Sequence, residues 1–173
     1  MKSFLITGLA GSGKTTLSKT LSDLGYEAYD IETIPDLFKM YRIDTNELFY
    51  DYDNADLDKA KNSDWRCDPI ILKQVLSNQQ NEIAFYCGIA SNMDDIIHLF
   101  TKVFFLSASE HNIRARLKSR EGTDDFGNTK ETQDLVVSWK EWFEDDMKSK
   151  GAILIDANAK SEVIAQEILS QTK

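Results

Sequence analysis

Along this chain, short apolar runs alternate with segments whose apolar residues recur three and four positions apart. Ser3-Phe4-Leu5-Ile6-Thr7 has strand character, and the next segment sets Leu17 and Leu21 four apart, as on one helical face. Gly25 follows as a helix stop, and residues 26–29 read as a second strand. A helix is predicted from Thr33, with Pro35 in its first turn and Leu37, Phe38 and Tyr41 on its apolar side. Residues 42–64 are acidic, carry Phe49, Tyr50 and Tyr52, and hold no steady period; they read as an excursion over the substrate side. Ile71, Leu72, Val75 and Leu76 predict a helix over 69–79 with Asp68 as its N-cap. Residues 82–87 form a third strand broken by Gly88, and residues 93–100 are helical in pattern. Val103-Phe104-Phe105-Leu106 is a continuous apolar run, as in a parallel strand buried on both faces. Ser109 caps a helix that turns Ile113 and Leu117 inward. One long helix is expected up to about residue 150, with Leu135, Val136, Trp139, Trp142 and Phe143 as core, and Gly151 ends it. Ala152-Ile153-Leu154-Ile155 is a fifth strand, and Val163, Ile164, Ile168 and Leu169 mark a closing helix.

Strands alternating with helices imply right-handed crossovers and a mostly parallel sheet covered on both faces, an α/β fold in one domain spanning 1–173. Ligands on such sheets gather at the carboxyl ends of the strands. Here those ends are residues 8–15, 30–32, 88–92, 107–109 and 156–158, all rich in small and polar residues.

The first of these ends carries the sharpest signal. Gly8-Leu9-Ala10-Gly11-Ser12-Gly13-Lys14-Thr15 fits G-x-x-x-x-G-K-[ST], between a strand and a helix. Gly8, Gly11 and Gly13 allow backbone conformations closed to residues with a Cβ, so successive N–H groups, those of Ala10 and Ser12 included, can point at one anion. The helix start at Lys14, Thr15 and Thr16 adds unpaired amides and the positive end of its dipole. The Lys14 ammonium can reach β- and γ-phosphate oxygens, and the Thr15 hydroxyl can ligate magnesium.

Charge sharpens this reading. The chain has 173 residues and a net charge of −9, from 20 Lys and Arg against 29 Asp and Glu. An acidic chain repels nucleic acid at long range, so no polynucleotide partner is expected, and its basic residues should concentrate where a polyanion binds. No apolar run approaches the roughly 20 residues needed to cross a bilayer, so no membrane partner is expected. The first strand starts at once, so no signal segment is expected and the cytoplasm is the expected compartment. Cys67 and Cys87 lie far apart without metal-type spacing and read as reduced residues. A monomer or a homodimer is compatible with all of this.

Asp30 and Glu32 follow the second strand. Phosphoryl transfer to a hydroxyl needs a carboxylate to hold magnesium or its waters, or to accept the hydroxyl proton, and either residue can serve. Arg116 and Arg120 lie one helical turn apart and open onto a Gly-, Asp- and Thr-bearing loop, so a lid over about 120–131 is expected, with the arginines meeting phosphates or a base plane. Arg66 and Arg42 are candidates for gripping a second substrate, in a substrate-binding segment over about 33–80. Gly88 and Asn92 stand where backbone and amide can meet that ligand. Ala157 and Asn158 suit a loop against the nucleotide base. No Asn-Lys-x-Asp guanine-reading sequence occurs.

Taken together these residues resemble the small P-loop kinases, the group of adenylate, shikimate and gluconate kinases. The resemblance rests on residues 8–15, on Arg116-Leu117-Lys118-Ser119-Arg120, similar to the sequence that opens the family's lid, and on Ile155-Asp156-Ala157-Asn158. It implies a P-loop NTPase fold of three α/β/α layers, with a five-stranded parallel sheet in order 2-3-1-4-5 and a mobile lid. It implies ATP and Mg2+ as cofactors, Arg116 against adenine, Arg120 against the phosphates, and the backbone of 157–158 near the base. Cys87-Gly88 departs from the adenylate kinase sequence at this point, whereas Asp30-x-Glu32 is similar to the shikimate kinase Asp-x-Asp, one acid serving magnesium and the other the acceptor hydroxyl. Tyr29-Asp30, Trp65-Arg66-x-Asp68 and Phe85-x-Cys87-Gly88-x-Ala90-Ser91-Asn92 look like a bacterial shikimate-kinase-like set named nucleoside kinases or ATP-binding proteins. The expected activity is γ-phosphoryl transfer from ATP to a small hydroxyl acceptor, a nucleoside or a shikimate- or sugar-acid-like molecule. The alternative is a regulator that binds ATP and has no acceptor.

Overall fold

The computed structural model describes residues 1–120 and 126–172. Strand β1 (Lys2–Thr7) leads through the glycine-rich turn into helix α1 (Lys14–Asp23), and β2 (Glu27–Asp30) runs into a 3-10 turn, Ile31–Thr33. A small antiparallel pair follows, β3 (Phe38–Arg42) and β4 (Ser63–Cys67), with α2 (Leu57–Lys61) between them. The rest alternates: α3 (Pro69–Ser77), β5 (Ile83–Cys87), α4 (Met93–Ile96), β6 (Lys102–Ser107), α5 (Glu110–Lys118), α6 (Lys130–Ser138), α7 (Lys140–Ser149), β7 (Ile153–Asp156) and α8 (Ser161–Ser170).

The main sheet has the order β2-β5-β1-β6-β7, and every pairing in it is parallel. Numbered among themselves, its strands run 2-3-1-4-5, the order expected from the resemblance. Successive residues point to opposite faces of a strand, yet Phe4, Leu5 and Ile6 are all buried, as are Val103 to Leu106. Both faces of the sheet are therefore covered, giving three layers. Asp68 caps α3 by accepting from the Ile70 and Ile71 amides, and Ser109 caps α5 through Asn112 N–H, as their positions suggested.

Two expected elements are corrected. The helix from Thr33 does not form: Asp36 takes a left-handed φ of 62°, and Phe38–Arg42 pairs with Ser63–Cys67 instead. Leu37, Phe38 and Tyr41 satisfy a helical period by coincidence, and the partner strand lies too far along the chain for local periodicity to register. The long helix is also broken. Trp139 ends α6 and begins α7, and the redirected chain leaves Trp139 and Trp142 at 36% and 67% exposure, not in the core. Val136, Phe143 and Met147 carry the burial.

At the amino ends of β2 and β5 one carboxylate ties two strands together. Glu27 accepts from the Gln80 and Asn81 amides at 2.6 to 3.1 Å and from the Tyr29 hydroxyl at 2.9 Å. Burial pushes its pKa up, but the Asn81 and Gln80 amides outweigh that and hold the carboxyl below the ordinary value of 4.5. A lowered carboxyl pKa stabilises the fold above the unfolded value and loses that contribution as pH falls through the folded one. Glu27→Ala should therefore lower unfolding stability by about 1 kcal/mol at pH 7, after allowance for solvent screening, and the deficit should shrink in urea melts repeated at successively lower pH below 4.5.

Candidate active site

The turn after β1 is shaped by its glycines. A Cβ on Gly8 would lie 2.8 Å from both the Leu106 carbonyl oxygen and Ser12 Oγ, and Gly11 and Gly13 take φ of 80° and 104°. Leu17 N–H donates to the Gly13 carbonyl at 2.9 Å, so the amides of Lys14, Thr15 and Thr16 open α1 with no carbonyl behind them. Ser12 Oγ is buried without a hydrogen-bond partner among the described residues, as is Thr7 Oγ1 at the end of β1. A buried hydroxyl left unpaired costs free energy, and a phosphate oxygen would satisfy the one on Ser12. Ala10 is half-buried on the same turn.

Lys14 is buried, with Nζ donating to the Gly8 carbonyl at 2.8 Å and the Leu9 carbonyl at 3.3 Å. Burial pushes its pKa below the lysine norm; the charges of Glu32 and Asp30 oppose that, and Arg120 adds to it. Glu32 Oε1 lies 3.8 Å from the ammonium and accepts the Ile89 amide at 3.1 Å. Beside this pair the Thr15 hydroxyl donates to Asp30 Oδ2 at 2.6 Å, while Asp30 Oδ1 accepts the Glu32 amide at 3.3 Å. Strand order explains the assembly: β2 and β1 flank β5, so the ends of all three reach one mouth.

The groups suit a magnesium–triphosphate. Hydroxyl and carboxylate oxygens are the hard donors magnesium takes, commonly one or two from protein with the rest from phosphate and water. Among the described residues no three His, Cys, Asp or Glu side chains form a metal cage.

The arginines differ from each other in environment. Arg116 donates through Nη1 to the Ser12 carbonyl at 3.0 Å and the Gly11 carbonyl at 3.4 Å, and through Nη2 to the Ala157 carbonyl at 2.8 Å. It thus bridges the phosphate turn to the loop after β7. Arg120 donates to the Phe126 carbonyl at 3.2 Å, both within the expected lid, whose residues 121–125 lie outside those described. Asn158 Oδ1 accepts the Ser109 amide and the Asn112 side chain, each at 2.8 Å, joining the loops after β6 and β7.

The residues expected to meet a second substrate are engaged within the protein. Arg66 forks onto Asp64 at 2.5 Å, reaches Asn46 and lies 4.7 Å over the Tyr41 ring; Arg42 pairs with Asp51 and lies over Phe49. Asn92 accepts the Cys67 amide and donates to the Cys67 carbonyl, both at 3.0 Å, holding the end of β4 beside β5. The space beside Gly88 is taken by Ile31 and Glu32. Sequence reasoning passed over Ile89, because a backbone amide leaves no mark on residue type.

A family model described as an AAA domain matches residues 5–135. The chain belongs to this AAA-domain family. Searching the curated proteins found no match. Among solved structures, deoxyadenosine kinase from M. mycoides with bound dATP is similar at TM-score 0.59 and 17% identity, covering 99% of this chain and 98% of that one. Shikimate kinase from Acinetobacter baumannii in complex with shikimate gives 0.57 and 15%, covering 99% and 92%. A sugar kinase from Janibacter sp. gives 0.55 and 16%, covering 98% and 93%. At these identities the likeness is one of fold: a P-loop NTPase sheet, built as in the small P-loop kinases. No helix among the described residues is long and apolar enough to cross a membrane.

Proposed function

We propose that this AAA-domain protein is an ATP- and magnesium-dependent phosphotransferase acting on a hydroxyl of a small molecule, a nucleoside or a shikimate- or sugar-acid-like compound. One observation carries the reading: a Thr15–Asp30 pair and a Lys14–Glu32 pair stand side by side at the glycine-rich turn, separated by 2.6 and 3.8 Å within each pair. The first pair suffices to hold MgATP, whereas a second acid beside it suits orienting an acceptor hydroxyl and taking its proton.

Bound MgATP would supply the γ-phosphoryl group and the charge that polarises it. Lys14 and the amides of the turn would hold the β- and γ-oxygens, Thr15 and Asp30 the metal, and Arg120 would close over the transferring group. Glu32 would orient the acceptor and take its hydroxyl proton. Arg116 and the 157–158 backbone would border the base. Arg66, Gly88 and Asn92, named from the sequence as acceptor contacts, support the segment around the acceptor in this reading through the contacts described above.

The deciding experiment is coupled ADP release with a panel of nucleosides, shikimate-like acids and sugar acids, beside calorimetry with MgATP. Acceptor-stimulated turnover of at least tenfold over ATP alone is expected. The internal pairing of Arg66 favours a second reading, a nucleotide-binding regulator without an acceptor. ATP binding with no stimulation by any acceptor would select it.

A further inference from the structure

Gly88 and Ile89 stand against Glu32 in a way no substrate contact explains. Gly88 continues β5 past its last residue, its amide donating to the Ile6 carbonyl at 3.0 Å. A Cβ built on it would lie 2.6 Å from Ile31 Cγ1, 3.1 Å from Ile31 Cδ1 and 3.3 Å from Glu32 Cγ. Real Cβ atoms do not approach another heavy atom to 2.6 Å, and Ile31 cannot yield readily. Its Cγ1 is one bond from Cβ, and the side chain is fully packed in the core. Only glycine therefore lets the 3-10 turn Ile31–Thr33 lie flat on the end of β5. That closeness brings the next amide, Ile89 N–H, to 3.1 Å from Glu32 Oε1. The same oxygen faces Lys14 at 3.8 Å, and Glu32 Oε2 has no hydrogen bond among the described residues.

We infer that Gly88 and the Ile89 amide are positioning residues: they clamp Glu32 by Oε1 and leave Oε2 as the one oxygen presented to the acceptor hydroxyl. This rests on the reading of Glu32 as the acceptor's acid. Two points separate it from ordinary packing. First, the clamp is a hydrogen bond to one carboxylate oxygen, so its loss changes where the acid points without removing it. Second, no hydrogen bond among the described residues joins the Thr15 and Asp30 side chains to Gly88 or Ile89; Asp30 meets the clamped residue through the Glu32 backbone amide, so the carboxylate can be displaced while the metal-side pair is kept. A carboxylate free to rotate or displaced by about 1 Å loses near-attack geometry, an error that can lower a rate about a hundredfold.

The test is a cycle on the intact protein with an acceptor found by the screen above. Gly88→Ala is expected to lower kcat about thirtyfold or more, with calorimetric affinity for MgATP unchanged within about twofold. In a Glu32→Gln background the same substitution should lower kcat by less than about threefold, because the group it acts through no longer accepts a proton. Ile31→Ala/Gly88→Ala removes both clashing carbons and should recover kcat to within about threefold of Ile31→Ala alone; this comparison also serves if Gly88→Ala does not fold. Gly88→Ala at wild-type kcat, full additivity with Glu32→Gln, or a double variant more than tenfold below Ile31→Ala would each overturn the clamp while leaving the kinase reading standing. Wild-type kcat in Glu32→Gln alone would remove the role of Glu32, and the clamp with it.

Discussion

On the phosphotransferase reading, Lys14→Ala is expected to abolish acceptor-dependent ADP release, with kcat down at least about a thousandfold, while the melting temperature stays within about 4 °C of the wild type. The rate loss corresponds to roughly 4 kcal/mol of transition-state stabilisation, the scale of removing one fixed charge aimed at developing phosphoryl charge. The ammonium is buried, so no solvent cation easily replaces it. Its removal is tolerable to the fold for a related reason: burial already opposes its charged form, and what is lost is two carbonyl hydrogen bonds and a 3.8 Å ion pair with the partly exposed Glu32. Steady-state kinetics with a thermal melt on one preparation checks both halves. Turnover within tenfold of the wild type would remove Lys14 from the transfer step.

Asp30→Asn is the second large effect. The amide keeps the size of the side chain and, through its oxygen, the bond from Glu32 N–H, so the 3-10 turn should stay capped. It removes the negative charge beside the Thr15 hydroxyl, and with it the anionic oxygen that would hold magnesium or its waters. Half-saturating magnesium should rise about 10- to 100-fold, the range for losing a group that supports a metal site, and kcat at saturating magnesium should recover only in part. A magnesium titration of the rate at fixed ATP is the measurement. An unchanged curve would move the metal away from Asp30. The two substitutions separate the roles: Lys14→Ala is not rescued by magnesium at any concentration, and Asp30→Asn is rescued in part.

Local reading worked where chemistry and backbone geometry sit in one short stretch. Residues 8–15 carry their conformational demands in three glycines and their charge in Lys14, so the phosphate turn was legible before any fold was known. The buried strands β1 and β6 were equally plain, since continuous apolar runs bounded by polar ends have few other uses. Reading failed where the partner is remote. The β3–β4 pair joins residues about 25 apart along the chain, and its strands lack clean alternation, so Leu37, Phe38 and Tyr41 suggested a helix. Trp139 and Trp142 suggested core for a similar reason: their spacing fits an apolar face, but the break at Trp139 rotates that face outward.

The sequence by itself determined the class of fold, the glycine-rich turn and the acids that follow β2, because each is written in a local period or a contiguous motif; the order of the parallel strands followed only from the family resemblance those motifs carry. Tertiary structure alone decided which oxygen faces what. It paired Thr15 with Asp30 and Lys14 with Glu32, engaged Arg66 and Asn92 inside the protein, and set Glu32 against an amide that no residue type announces. The physical reason is that direction and distance between side chains depend on how β2, β5 and β1 lie side by side, and such long-range register is not encoded in any short window of the chain.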